Sequence, residues 1–220
     1  MGDLHRRHHN SLLAAAERRL LVAIAARLPA WVTSDGLTLL ALTSMVAAGT
    51  AFAWSPGRPW AAAAAISALT LNWFGDSLDG TLARVRRRER PRYGYYVDHV
   101  VDLAGAAALI VGIGCSGAMH PLVAGALLVG YILVAAESFL ATHATGVFRV
   151  SFGPVGPTEL RILLIAAAVR VAAAADTSAL NVGGTIGAIG LLGALLVSTI
   201  RTTRALSRAE PLERGGQRAA

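Results

Sequence analysis

The chain has no lysine and only one cysteine, Cys115. A lone cysteine excludes an intramolecular disulfide and any cysteine-based metal site. Charge is scarce: Asp, Glu and Arg make up 15% of the 220 residues, where a soluble domain carries about a quarter. Acid is the scarcer sign, with 13 residues against 20 basic ones, all of them arginine. Arginine in place of lysine reflects codon composition as readily as chemistry and carries little weight. No cleavable signal peptide is evident, because the N-terminus is polar and rich in His and Arg, and Pro29 interrupts before any long apolar run. What is abundant is Ala, Leu, Val and Ile: hydrophobic residues reach 55% and mean hydropathy is +0.55. Long apolar blocks of this kind predict an all-α integral membrane protein with several spans. The length suits one compact membrane domain and leaves no room for a second sizeable one. The net charge of +7 comes from arginines that flank the apolar blocks. That pattern fits positive-inside topology and attraction to anionic lipid or a phosphorylated substrate, and argues against nucleic acid as the partner.

Residues 1–9, with His5-Arg6-Arg7-His8-His9, read as a solvated basic tail. Residues 11–28 carry Leu13, Ala16, Leu20, Ile24 and Leu28 at helical spacing, with Arg18, Arg19 and Arg27 beside that stripe. The segment is too charged to span and is expected to lie in the membrane interface. Six apolar blocks follow, at 37–54, 60–78, 95–114, 121–145, 159–175 and 180–200. Each approaches the roughly 20 residues a span needs, and their many Gly and Ala positions suit close helix–helix contact. The fifth block is the weakest, with Arg161 and Arg170 near its ends. The expected division is a tail and amphipathic helix at 1–30, a six-helix domain at 31–205 and a basic tail at 206–220.

Orientation follows from arginine placement. The segment between the second and third blocks holds Arg84, Arg86, Arg87, Arg88, Arg90 and Arg92. The two termini and the fourth-to-fifth link, with Arg149 and nearby Arg161, are basic too, whereas the opposite loops hold only Arg58. Both termini are therefore expected in the cytoplasm, in a plasma membrane of prokaryotic type.

In a chain so short of acid, four carboxylates fall close together: Asp76 and Asp79 at i, i+3, then Asp98 and Asp102 at i, i+4. On helices each pair shares a face. Asp102 lies roughly 12 Å along its helix from Gly94. The expected topology brings all four to one cavity open to the cytoplasm. An ionised acid at mid-membrane depth costs about 2.5–3.5 kcal/mol on insertion scales, so four together call for protons or cations. Oxygen-only donors, without Cys or paired His, suit a hard divalent ion, Mg²⁺ or Mn²⁺, and two such ions balance four carboxylates. Magnesium takes substrate phosphates as its remaining ligands, which points to a phosphate ester or pyrophosphate. Gly80 and Gly94 would let such a ligand approach the helix backbone, and Arg84 supplies a phosphate fork. The rest of the arginine run is assigned to topology.

The pattern Asp76-x-x-Asp79-Gly80-x-x-Ala83-Arg84, nine intervening residues, then Gly94-x-x-x-Asp98-x-x-x-Asp102 resembles the motif of the CDP-alcohol phosphotransferase family. All eight motif positions occur in order, across the second and third blocks of a six-block chain. The resemblance implies that Asp76, Asp79 and Asp98 hold two metal ions against the CDP pyrophosphate. It makes Asp102 the general base, which can also touch a metal, and places Gly80, Ala83, Arg84 and Gly94 against the nucleotide. Many members carry Pro-Asn or Pro-Asp, then Thr, before the first span. Here Ser34-Asp35-Gly36-Leu37-Thr38 stands there, with Ser34 replacing the proline; Thr38 is read as a nucleotide-pocket residue. Dimerisation is implied by the resemblance alone.

The implied reaction moves a phosphatidyl group from CDP-diacylglycerol to an alcohol, a small polyol or polyol phosphate, and releases CMP. A related reading takes CDP-choline or CDP-ethanolamine as donor to diacylglycerol, towards which His99, directly after the third acid, leans. A cation- or proton-coupled transporter would also explain intramembrane acids, though not Gly80, Ala83, Arg84 and Gly94. Arg161, Arg149 and Arg201 are the arginines best placed for an acceptor phosphate. Glu137, near Ser138, Thr142 and Thr145, is either an acceptor contact or an interhelical hydrogen-bonding group. Thr158 is read as the cap of the fifth block.

Overall fold

The structure is a computed structural model, which describes residues 12–145, 157–173 and 178–210. The described residues form seven α-helices: α1 Leu12–Arg27, α2 Ser34–Trp54, α3 Pro59–Val85, α4 Pro91–Cys115, α5 Pro121–Thr145, α6 Pro157–Ala172 and α7 Ser178–Ala209. Four of them, α3 to α6, open on a proline, whose fixed φ and missing N–H suit the first helical position. For α6 this puts the start one residue ahead of Thr158. The N-cap of α2 is Thr33, whose hydroxyl accepts from the Gly36 N–H at 3.0 Å.

The protein is an all-helical integral membrane protein. Among the described residues, four helices, α2, α4, α5 and α7, are long and apolar enough to cross a bilayer, where six spans were expected. The apolar run of α3 is diluted by Asn72, Asp76 and Asp79. α6 has 16 residues, about 24 Å at the helical rise, short of the roughly 30 Å hydrocarbon core. Outward-facing Leu39, Val46, Leu122, Leu140, Ile186 and Leu196 are exposed, as expected where the solvent is lipid.

α2 is the spine of the bundle. α3 and α4 both pack extensively on it, whereas α3 and α4 make little contact with each other. Small residues set those crossings. A Cβ on Gly75 would meet the Leu37 carbonyl oxygen of α2 at 2.6 Å, and one on Gly112 would collide with the backbone of Gly49. The neighbouring Asn72 side chain donates to the Ala41 carbonyl at 3.1 Å, satisfying a buried polar group. The main core, around Phe52, Leu69, Leu109, Ile113 and Ala168, joins α2, α3, α4 and α6. A second core forms where Leu21 and Ala25 of α1 cover Leu37, Leu78 and Leu82. α1 therefore lies over the acid-bearing ends of α2 and α3, with Arg18, Arg19 and Arg27 exposed.

Candidate active site

Because α3 and α4 separate while both rest on α2, a gap opens between them, and Asp76, Asp98 and Asp102 meet across it. Asp76 of α3 follows directly on Gly75, so the tight α2–α3 crossing sets its depth. Asp98 and Asp102 lie one turn apart on α4. These three offer carboxylate oxygens that all lie within 4.8 Å of one another. That closeness and the all-oxygen chemistry of the three would suit a hard divalent cation such as Mg²⁺.

The fourth acid stands apart from that trio. Asp79 Oδ2 accepts a hydrogen bond from Thr38 Oγ1 at 2.7 Å, its Oδ1 accepts from the Gly80 N–H, and its backbone carbonyl accepts from Ser34 Oγ at 2.7 Å. It still feels the charges of Asp98 and Asp76. Residues three apart on a helix are about 60° apart around its axis. Asp76 is turned to α4 and Asp79 to the start of α2. Thr38, read from the sequence as a nucleotide-pocket residue, donates its hydroxyl to an acid of the motif.

The motif glycines differ from the packing glycines. A Cβ on Gly94 would meet nothing within 4 Å, and one on Gly80 would reach only the Arg84 guanidinium, at 3.4 Å. Among the described residues, no neighbour demands a glycine at either position. Arg84 is exposed, with Nη2 donating to Thr81 Oγ1 at 3.0 Å. Ala83 is half-buried beside it.

The arginine run has more specific partners than topology alone requires. Arg86 donates to the carbonyls of Leu28 and Pro29, both at 2.9 Å, and to that of Val32, tying the α1–α2 turn to the end of α3. Arg90 Nη2 donates to both carboxylate oxygens of Asp35, at 2.6 and 2.7 Å, and the guanidinium lies over the Tyr93 ring at 3.8 Å. The Asp35 hydrogen bond raises the Arg90 guanidinium above its ordinary pKa. Ser34, Asp35, Arg86 and Arg90 were not singled out as site residues. The only sequence signal for Arg90 was an acid at a helix start opposite a basic loop.

Glu137 faces α7. Its Oε2 accepts from Ser198 Oγ at 2.6 Å and its Oε1 from Thr202 Oγ1 at 3.3 Å, which is the interhelical arrangement. Thr142 and Thr145 bond back to carbonyls of their own helix. His99 Nδ1 lies 2.7 Å from the Tyr95 carbonyl. A carbonyl only accepts, so Nδ1 carries the proton. The ring packs edge-on to Phe139 of α5 at 5.2 Å. Tyr131 of α5, which the sequence did not mark, is within electrostatic reach of Asp102. Arg201 is exposed on α7. Arg161 lies on α6, but its side chain, like Arg149 as a whole, is outside the described residues.

The family profile described as CDP-alcohol phosphatidyltransferase matches residues 31–200. No curated protein matches by sequence. Among solved structures, the fold resembles the phosphatidylinositol phosphate synthase of Mycobacterium tuberculosis, crystallised with CDP-DAG bound. The TM-score is 0.56 and the identity 20%, over 90% of this chain and 99% of that one. With the family match covering α2 to α7, this chain belongs to the CDP-alcohol phosphatidyltransferases and is an enzyme of that family.

Proposed function

We propose that the enzyme transfers a phosphatidyl group from CDP-diacylglycerol to a small polar alcohol, a polyol or polyol phosphate, and releases CMP. The carrying observation is the meeting of Asp76, Asp98 and Asp102 within 4.8 Å in the gap between α3 and α4, beside two glycines left open on the protein side. CDP-DAG in the structurally similar synthase supports this choice of donor.

In this reading Asp76, Asp79 and Asp98 hold two divalent ions, Mg²⁺ or Mn²⁺, and Asp102 touches one of them. When bound, such ions neutralise the pyrophosphate and the leaving CMP. The chain's own groups do the rest. Gly80, Ala83 and Gly94 give the nucleotide access to the helix backbone. Arg84 offers a planar fork to a phosphate. Asp102, the most exposed of the trio, takes the proton from the acceptor hydroxyl. The hydroxyl oxygen then attacks the phosphorus that carries diacylglycerol, and the bond from that phosphorus to CMP breaks. Arg161, Arg149 and Arg201 remain the proposed contacts for an acceptor phosphate. Glu137 serves to tie α5 to α7. The packed position of His99 gives no support to diacylglycerol as acceptor.

The test is CMP release by purified protein in lipid nanodiscs with CDP-diacylglycerol, Mg²⁺ and a panel of polyols and polyol phosphates. Turnover should need the metal, and Asp102→Asn should lower it by about 10²–10⁴-fold, the usual worth of a general base. If no CDP-alcohol supports turnover while Asp102→Asn abolishes ion flux in liposomes, the transferase reading fails in favour of transport.

A further inference from the structure

We infer that Thr38 is a positioning residue for Asp79: its hydroxyl, held near the start of α2, sets the orientation in which that carboxylate meets the metal ions. This rests on the proposed reading of Asp79 as a ligand. It departs from the expectation that Thr38 lines the nucleotide pocket.

The geometry is specific. Asp79 lies on α3, 41 positions along the chain from Thr38, and is attached to α2 at two points. Thr38 Oγ1 bonds its Oδ2 at 2.7 Å, and Ser34 Oγ bonds its backbone carbonyl at the same distance. Thr38 also lies 3.1 Å from the Ser34 carbonyl, so its hydroxyl is placed by its own helix while it meets the acid. Ser34 and Thr38 are one helical turn apart, and together they hold both the backbone and the side chain of one residue. Below them Leu37 is buried against Leu78 and Leu82, and Gly75 sits on the Leu37 carbonyl, so the two helices cannot rotate independently. A carboxylate has about four lone-pair sites. The bonds from Thr38 and Gly80 occupy two and leave both oxygens able to ligate. Hydrogen bonds of this kind orient metal ligands, and their loss typically lowers metal affinity or activity 10–100-fold. Without the hydroxyl, Asp79 is free to sample other side-chain orientations and meets the metals less often.

The experiment compares wild type with Thr38→Val, Thr38→Ser, Ser34→Ala and Asp79→Asn in nanodiscs. It reads Mn²⁺ binding by electron paramagnetic resonance without substrate, then the Mg²⁺ dependence of CMP release. Thr38→Val should weaken Mn²⁺ binding about tenfold and raise the Mg²⁺ concentration for half-maximal turnover by a similar factor. Thr38→Ser should restore both. Adding Thr38→Val to Asp79→Asn should change Mn²⁺ binding no further. Ser34→Ala, which removes the backbone contact and leaves the carboxylate contact, should weaken Mn²⁺ binding less than Thr38→Val does, and an equal or larger loss would overturn the inference. Thr38→Ala carries the same test if the valine variant fails to fold. Wild-type Mn²⁺ affinity in the variant lacking the hydroxyl, or additive effects in the double variant, overturns the inference alone. Unchanged Mn²⁺ binding in Asp79→Asn overturns the metal role of Asp79 and the inference with it.

Discussion

Gly75 and Gly94 stand in opposite surroundings within one bundle. Gly75 is buried against the α2 backbone, so Gly75→Leu forces a helix pair apart; overpacking of this kind costs about 1–3 kcal/mol. Gly94 has no neighbour among the described residues where its side chain would be and stands in the first turn of α4. Gly94→Leu should fold at least as well as wild type, since glycine in a helix is roughly 0.8–1.0 kcal/mol worse than alanine. It should nevertheless raise KM for CDP-diacylglycerol by about tenfold or more, a loss of roughly 1.4 kcal/mol in nucleotide contact. Thermal unfolding and initial-rate kinetics on the same sample separate the two effects. A destabilised Gly94→Leu with unchanged KM would mark the glycine as a packing residue. Both glycines were visible in the sequence. Only the surroundings of each distinguish packing from access.

At the scale of the helices, the decisive feature is that α2 supports both acid-bearing helices. Tight crossings at Gly75 and at Gly112 fix α3 and α4 to it and leave a gap between them. Outside that gap, α1 is fastened by Arg86, which bridges three carbonyls of the α1–α2 turn. Hydrogen bonds to a charged group contribute about 1.5–3 kcal/mol, and partial exposure reduces that here. Arg86→Met should therefore loosen α1 without emptying the site. The expected result is faster trypsin cleavage after Arg27, read by mass spectrometry, with most CMP release retained. Equal cleavage rates would mean that Leu21 and Ala25 hold α1 unaided. The helices themselves were largely legible: the first, third and fourth apolar blocks agree with α2, α4 and α5 to within a few residues. The apolar run of the second block ends at 78, but α3 continues to Val85. Asp76 meets the acids of α4, Asp79 is bonded by Thr38 and Arg84 is exposed, so none of them interrupts the helix.

The whole molecule is a family member matched from 31 to 200, with its acids at one end of a helical bundle. Its membrane orientation has a direct test, because Cys115 is exposed at the end of α4, far along that helix from Asp98. With the acid-bearing end in the cytoplasm, an impermeant maleimide should label Cys115 in intact spheroplasts. Arg88→Cys, in a Cys115→Ser background, should label only after permeabilisation. The reverse pattern would invert the topology and put the reaction on the opposite face.

Hydropathy, arginine placement and the spacing of eight motif residues are properties of short stretches of chain. They were enough to establish a helical membrane protein and its family, and to mark the four acids of the motif. The partners of those acids were not. Thr38 meets Asp79 across 41 positions, Arg90 meets Asp35 across 55, and Ser198 meets Glu137 across 61. Each contact depends on how one helix is rotated against another, and that rotation is set by where small residues let backbones touch. That is why Asp76 and Asp79, indistinguishable by spacing, separate in the fold: one joins the cluster with α4, and the other is held by α2.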